Sequence, residues 1–164
     1  MSIADPDQVA VSVRTYSGTA GQEGVGGVVI AICDNGEPSG VLRHHMLYSP
    51  TGMRWGFRGL GPKDLSRSLL IDAVGESVVC GVCRGGNRVV FDAEADGFVP
   101  FDPVTHAGRT HGSCGACRHG YTLTHREETA FETEIVARLG RQWTLSRDQI
   151  VQWRRGYLRR AAVR

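Results

Sequence analysis

Cys80-Gly-Val-Cys-Arg-Gly-Gly86 and Cys114-Gly-Ala-Cys-Arg-His-Gly120 are two versions of one short phrase, placed so that the cysteines read C-x2-C-x30-C-x2-C. Two thiolates separated by two residues can grip one ion in a tight turn whose backbone N–H groups point at the sulfurs. Glycine in or just after that turn eases the backbone path. Two such turns facing each other complete a tetrahedral four-sulfur site. The pattern therefore predicts one metal centre, with Cys80, Cys83, Cys114 and Cys117 as its ligands. Four free thiols or two disulfides are the alternatives. Matched pairs rarely arise by chance, and a reducing cytosol disfavours disulfides.

Zinc is the expected ion. The 30 residues between the pairs include Val89, Val90, Phe91, Phe98, Val99 and Phe101, which suit the hairpin of a zinc ribbon. So small a module cannot hold itself together by apolar burial, and the metal would supply much of its folding energy. Iron is the competing ion, because the spacing is close to that of rubredoxins and Phe101-Asp102-Pro103 resembles their aromatic-Asp-Pro turn. The knuckles, however, lack the Cys-Pro-x-Cys-Gly form. Four thiolates leave no open position for water or substrate, which points to a structural rather than a catalytic metal. His106, His111, His119 and His125 lie in or beside the module and read as surface or hydrogen-bonding residues. Cys33, alone in an apolar run, reads as a small buried hydrophobe.

Outside residues 76–123 the pattern changes. Residues 9–49 are β-rich: Val9–Tyr16 alternates, Gly27–Cys33 is a short apolar run, and Val41–Tyr48 is a third candidate strand. With Asp34-Asn35-Gly36 as a turn, these predict a three-stranded antiparallel meander. Pro62 suits the first turn of a helix. Leu65, Leu69, Leu70 and Ala73 give that helix an apolar face, and Gly75 stops it. A second helix begins at Thr124, which has capping-box spacing to Glu127, carries Phe131, Ile135 and Leu139 on one face, and stops at Gly140. A third begins near Ser146, with Gln149 completing a capping box and Ile150, Trp153, Tyr157 and Ala161 as its stripe. The expected class is α+β: a small antiparallel meander packed with about three helices, formed by residues 1–75 and 124–164 and interrupted by the ribbon-like module at 76–123. Glu127, Glu128, Glu132 and Glu134 read as a solvated helix side, and Asp72 and Glu76, like-charged four residues apart, read as surface.

The stretch from Ser49 to Gly75, SPTGMRWGFRGLGPKDLSRSLLIDAVG, resembles the signature of an uncharacterised prokaryotic and phage family, a domain of unknown function. Trp55, Gly56, Gly59, Gly61, Pro62 and Leu65 carry the match, while Leu60 and Ser66 depart from it. Tyr16-Ser-Gly18 resembles the family's opening, and Phe131 to Trp153 its closing helical part, so that the resemblance covers roughly residues 10–75 and 124–156. It implies an α+β core, an inserted cysteine module and a phage or mobile-element setting, and it supplies no catalytic residue. The glycine stretch is neither G-x4-G-K-[ST] nor G-x-G-x-x-G. A rigid turn packing Trp55 accounts for it better than an anion loop using Arg58 and Lys63.

The formal net charge is +2, too small to argue for nucleic acid by itself. Its distribution is uneven: residues 141–164 carry seven arginines and one acid, whereas Asp92, Glu94, Asp96 and Asp102 cluster in the module. No long apolar run suggests a membrane span, and the polar, acidic start MSIADPDQ lacks the layout of a secretory signal. A cytoplasmic protein is therefore expected. The favoured function is a non-enzymatic zinc-binding protein, an interaction or regulatory module whose acidic loop suits a basic protein partner. The alternative is nucleic-acid binding through Arg154, Arg155, Arg159 and Arg160, although the same arginines suit a solvated helix end, where positive charge is favourable. No Ser-His-Asp, HExxH or paired-carboxylate motif supports an enzyme.

Overall fold

The computed structural model describes residues 13–20 and 29–163. Residues 9–12 of the first expected strand and 27–28 of the second lie outside them. Asn35 and Gly36 both take left-handed backbone, with φ of 55° and 85°, and form the two-residue hairpin turn that Asn-Gly favours. They join β2 (Ala31–Asp34) to β3 (Glu37–Val41). β1 (Arg14–Thr19) pairs antiparallel with β2. The three-stranded meander is thus present.

Its third strand is not the expected one. Val41–Tyr48 was to pair with the second strand, yet β3 ends at Val41 and the chain after it crosses onto α1 (Leu60–Val74). Leu42 N–H still bonds to the Ile30 carbonyl at 2.8 Å, and from His45 on the amides bond to that helix. The backbone N–H groups of Leu47, Tyr48 and Ser49 donate to the Asp64 carboxylate at 2.8–3.0 Å, and His45 N–H donates to Ser68 Oγ at 2.9 Å. Glu37-Pro-Ser-Gly, which reads as loop, serves as the edge strand, where a proline costs no ladder bond. The other edge is β7 (Gln142–Ser146), a strand not expected from the sequence, which gives the order β3-β2-β1-β7. In that pairing Gly18 sits opposite Trp143, and a Cβ on Gly18 would come within 2.6 Å of the indole.

α1 is the centre of the molecule. Leu65, Leu69, Leu70 and Ala73 are fully buried, as expected, but so are Asp64, Ser66, Arg67 and Ser68 on the other sides. Gly75, at φ 71°, ends the helix. Asp72 is half-buried rather than free on the surface. It accepts from Tyr16 Oη at 2.6 Å and from Arg14 Nη1 at 3.0 Å, tying β1 to α1.

α2 (His125–Glu134) is capped by Thr124, whose hydroxyl accepts from Glu127 N–H at 3.1 Å. Only this half of the expected capping box forms, because the Glu127 carboxylate turns to Arg154. The helix also stops before the expected Gly140; Ile135 leaves it and Val136–Arg138 makes one tighter turn. The solvated acidic face is a correction. Glu127, Glu128 and Glu132 are 3%, 0% and 1% exposed, each held by a partner from another part of the chain. α3 (Arg147–Ala162) has its full capping box at Ser146 and Gln149. Ile150 is buried, and Trp153 packs edge-on to Phe131 and stacks on Tyr157.

The glycine-rich turn before α1 docks on the segment after α2. Trp55 Nε1 donates to the Gly140 carbonyl at 2.8 Å and Gly56 N–H to the Val136 carbonyl at 3.1 Å. Gly59, the residue capping α1, donates its N–H to Glu132 Oε1 at 2.7 Å. A buried carboxylate of the chain itself thus occupies the positive end of that helix. Gly61 lies so close to Arg54 that a Cβ would meet Arg54 Cγ at 2.7 Å, and Pro62 is buried beside it.

Asp64→Ala removes the acceptor for three backbone amides and the His44 ring in a buried place. Loss of about 3 kcal/mol or more is expected, measured as a shift in the midpoint of denaturant-induced unfolding.

Candidate metal centre

The two cysteine turns are brought together by a short antiparallel neck. Thr122 N–H donates to the Val78 carbonyl at 2.8 Å and Cys80 N–H to the Gly120 carbonyl at 2.9 Å, with Val79 opposite Tyr121. Arg84 N–H then bonds back to the Cys80 carbonyl, and Gly86 N–H to the Cys83 carbonyl. Both turns leave through left-handed backbone: Arg84 and Gly85 at φ 49° and 85°, His119 and Gly120 at 51° and 91°. Gly120 is required for a second reason. A Cβ there would lie 2.2 Å from the Gly85 carbonyl oxygen, so one knuckle presses its backbone on the other.

Beyond the first knuckle the chain forms β4 (Arg88–Asp92) and β5 (Gly97–Pro100) as an antiparallel hairpin, with Phe91 opposite Phe98 and Val90 opposite Val99. β6 (Gly112–Ser113) joins the other side of β4 and leads to Cys114. Four acids gather here, but two of them build turns. Asp92 accepts from the N–H groups of Glu94 and Ala95, and Asp102 from those of Val104 and Thr105. These bonds hold both carboxyls below the usual range.

The sulfurs of Cys80, Cys83, Cys114 and Cys117 all lie within 4.8 Å of one another, and this is the one such donor cluster among the described residues. Cys80 Sγ is 3.9 Å from Cys114 Sγ, and Cys83 Sγ is 3.5 Å from Cys117 Sγ. A regular tetrahedron with a metal–sulfur length of about 2.3 Å places its sulfurs about 3.8 Å apart, whereas a disulfide requires about 2.05 Å. The donor set thus fits one ion. Three of the cysteines are buried and Cys117 is half-buried. N–H bonds from Cys83 and then Val82, opposed by burial, bring the Cys80 thiol down to about 7. Burial pushes Cys117 up to about 12 and raises Cys114. Gly120 N–H donates to Cys117 Sγ at 3.3 Å.

Each histidine near the module has another task. His106 Nδ1 accepts from Asp102 N–H, His111 stacks on Phe101 at 3.9 Å, His125 Nδ1 meets the Tyr48 hydroxyl, and His119 is exposed. Cys33 is half-buried in β2, far in register from the tetrad.

One residue of the site carried no sequence signal. Arg118, directly after Cys117, donates from Nη1 to Glu128 Oε2 at 3.0 Å and from Nη2 to the Tyr48 hydroxyl at 2.6 Å. Its carbonyl accepts from Arg67 Nη2 at 2.8 Å. Arg67 Nη1 and the Tyr48 hydroxyl donate to the same Glu128 carboxylate. The second knuckle is therefore fastened to α1, α2 and the segment before the glycine turn. Of the C-terminal arginines, Arg154 donates to Glu127 Oε1 at 2.6 Å and Arg160 pairs with Glu134. Arg155 and Arg159 are exposed.

Residues 16–82 match the model of a family of unknown function (DUF6166). The matched stretch starts within β1, takes in β2, β3, the glycine turn and α1, and ends between Cys80 and Cys83. No curated protein and no solved structure matches the chain. Among the described residues no helix is long and apolar enough to cross a membrane.

Gly120→Ala forces the two knuckles apart at a backbone contact. Metal affinity is expected to drop by about tenfold or more, read by competition with a chromophoric chelator. Gly115→Ala, where a Cβ meets nothing within 4 Å, should bind as the unaltered chain does.

Proposed function

We propose that the protein is a non-catalytic zinc-binding module that presents a rigid surface to a protein partner. The single observation supporting this is the sulfur tetrad, whose separations suit a closed four-thiolate sphere. In such a sphere every coordination position is a protein sulfur, and no substrate or water can reach the metal without displacing one. A tetrahedron of thiolates suits zinc or iron alike, and zinc is preferred because the knuckles lack the proline form of rubredoxins.

The metal would hold together the unit of residues 76–123. Its own apolar cluster is small, formed by Val89 with the cysteines. Its outer face carries Phe91 and Phe98, 51% and 64% exposed and packed edge to face with each other. Exposed paired aromatics over a rigid support are what a protein interface uses as anchors. The hairpin tip beside them is acidic at Glu94 and Asp96, which favours a partner with basic groups around an apolar pocket.

Nucleic-acid binding is less well supported. The ion pairs of Arg154 and Arg160 leave Arg155 and Arg159 as free charges of the original four among the described residues.

Elemental analysis of purified protein is expected to give one zinc per chain. A red sample absorbing in the visible would mean iron, and a metal-free folded chain would remove the proposal. Removing zinc with a chelator should abolish the dispersed NMR signals of the module while the signals of the β3-β2-β1-β7 sheet persist. Uniform loss of all signals would show that no separate module exists.

A further inference from the structure

A recess of about 280 Å³ lies where the second knuckle meets the core, lined by Arg43, His44, His45, Arg67, His119 and Tyr121. We infer that it is a binding site for a phosphate group. The wall is made of two guanidiniums, three imidazoles, one phenol and the exposed Met46 side chain, and no carboxylate lines it.

The nearby acids lie behind the wall, where Asp64 meets the His44 ring and Asp72 acts on His45, and each is also bonded to groups outside the recess. Asp64 accepts from three backbone amides and from the His44 ring. Asp72 holds Arg14 and Tyr16. Glu128 alone serves both Arg67 and Arg118, so that cluster retains one uncompensated positive charge. Arg67 is 1% exposed. A guanidinium has five N–H donors, and Arg67 uses one on Glu128 and one on the Arg118 carbonyl. Arg43 is exposed and has no ion pair among the described residues. A buried, fixed guanidinium at the back and a free one at the rim form a fork suited to a tetrahedral oxyanion.

Both guanidiniums also act on His45. Burial first, and then Arg43 and Arg67 against the opposing pull of Asp72, bring its pKa down to about 4, so the guanidiniums add repulsion to what is mainly desolvation. An anion would relieve that repulsion. Tyr121 cannot serve as a stacking platform for a base, since its ring already has Arg67 over it and the His45 ring against it. The recess therefore recognises the phosphate head rather than a base stacked on Tyr121. This reading does not depend on the function proposed above, although the knuckle positions His119.

The test is a titration of the zinc-loaded full chain with inorganic phosphate, followed by the NMR signals of the histidine side chains. Saturable shifts of His45 and His119 are expected. Arg43→Glu should weaken binding about tenfold or more. Arg155→Glu, which changes net charge equally on α3, should leave it within about twofold. Should R43E fold poorly, His119→Ala replaces it, with weaker binding again expected. No saturable shift, or equal weakening in R155E and R43E, would overturn the site. A nucleoside monophosphate titrated in parallel separates the sources. Tighter binding than inorganic phosphate means a phosphate carried on a larger molecule, and weaker binding means the free ion.

Discussion

The Glu128 carboxylate is the point on which the two halves of the molecule meet. It is wholly buried, and its two oxygens receive Arg67 from α1, Arg118 from the second cysteine knuckle and the Tyr48 hydroxyl from the segment after β3. Taking a carboxylate and a guanidinium out of water costs several kcal/mol for each ion, and only good geometry with every lone pair used offsets that. Here the geometry is good and the donors come from distant parts of the sequence. The arrangement therefore does more to fix one relative placement of these segments than to raise stability. Removing any one donor leaves charge stranded in a dry place.

The same principle runs through α1. A helix buried on every side is ordinarily apolar all round, but this one carries Asp64, Ser66, Arg67 and Ser68 into the interior. Ser66 donates back to the Pro62 carbonyl of the same helix, and the other three each meet a group that the fold leaves unpaired. Asp64 gathers the amides of a segment that has left its sheet, Ser68 takes one more, and Arg67 answers Glu128. Glu132 does likewise for the start of α1 through Gly59. The irregular segments at 43–49 and 52–59 can pack on the core because the side chains of Asp64, Ser68 and Glu132 and the Val136 carbonyl accept their N–H groups.

This bears on the cysteine centre. Arg118 follows Cys117 directly, and its side chain reaches into the Glu128 cluster while its carbonyl takes Arg67. A metal that fixes Cys117 would also fix Arg118, and with it the recess formed by Arg43, His45, Arg67 and His119. The proposed zinc would then be structural in two senses: it would hold the ribbon together, and it would hold one wall of the core. The exposed Phe91–Phe98 pair takes no part in those contacts.

Local chemistry made much of this legible in the sequence. The matched Cys-x-x-Cys turns carry their own geometry, and the structure places all four sulfurs together. Asn35-Gly36, Gly75, and the Ser146 and Gln149 pair state a turn, a stop and a cap within a few residues. Leu65, Leu69 and Leu70 state a face through their spacing. What the sequence could not show is which polar residues are buried, because a glutamate reads alike whether its partner is water or an arginine sixty residues away. Glu128 and Arg67 meet only after α1 and α2 pack, and Asp64 finds its amides only once the chain after Val41 abandons the sheet. β7 was hidden for the same reason: Gln142–Ser146 is short and polar, and it becomes a strand because Trp143 finds space over Gly18. Composition and spacing thus determined the cysteine tetrad and the helix ends other than the C-terminus of α2. Tertiary packing alone decided the buried charges, the fourth strand and the cationic recess, since each depends on partners brought together from far along the chain.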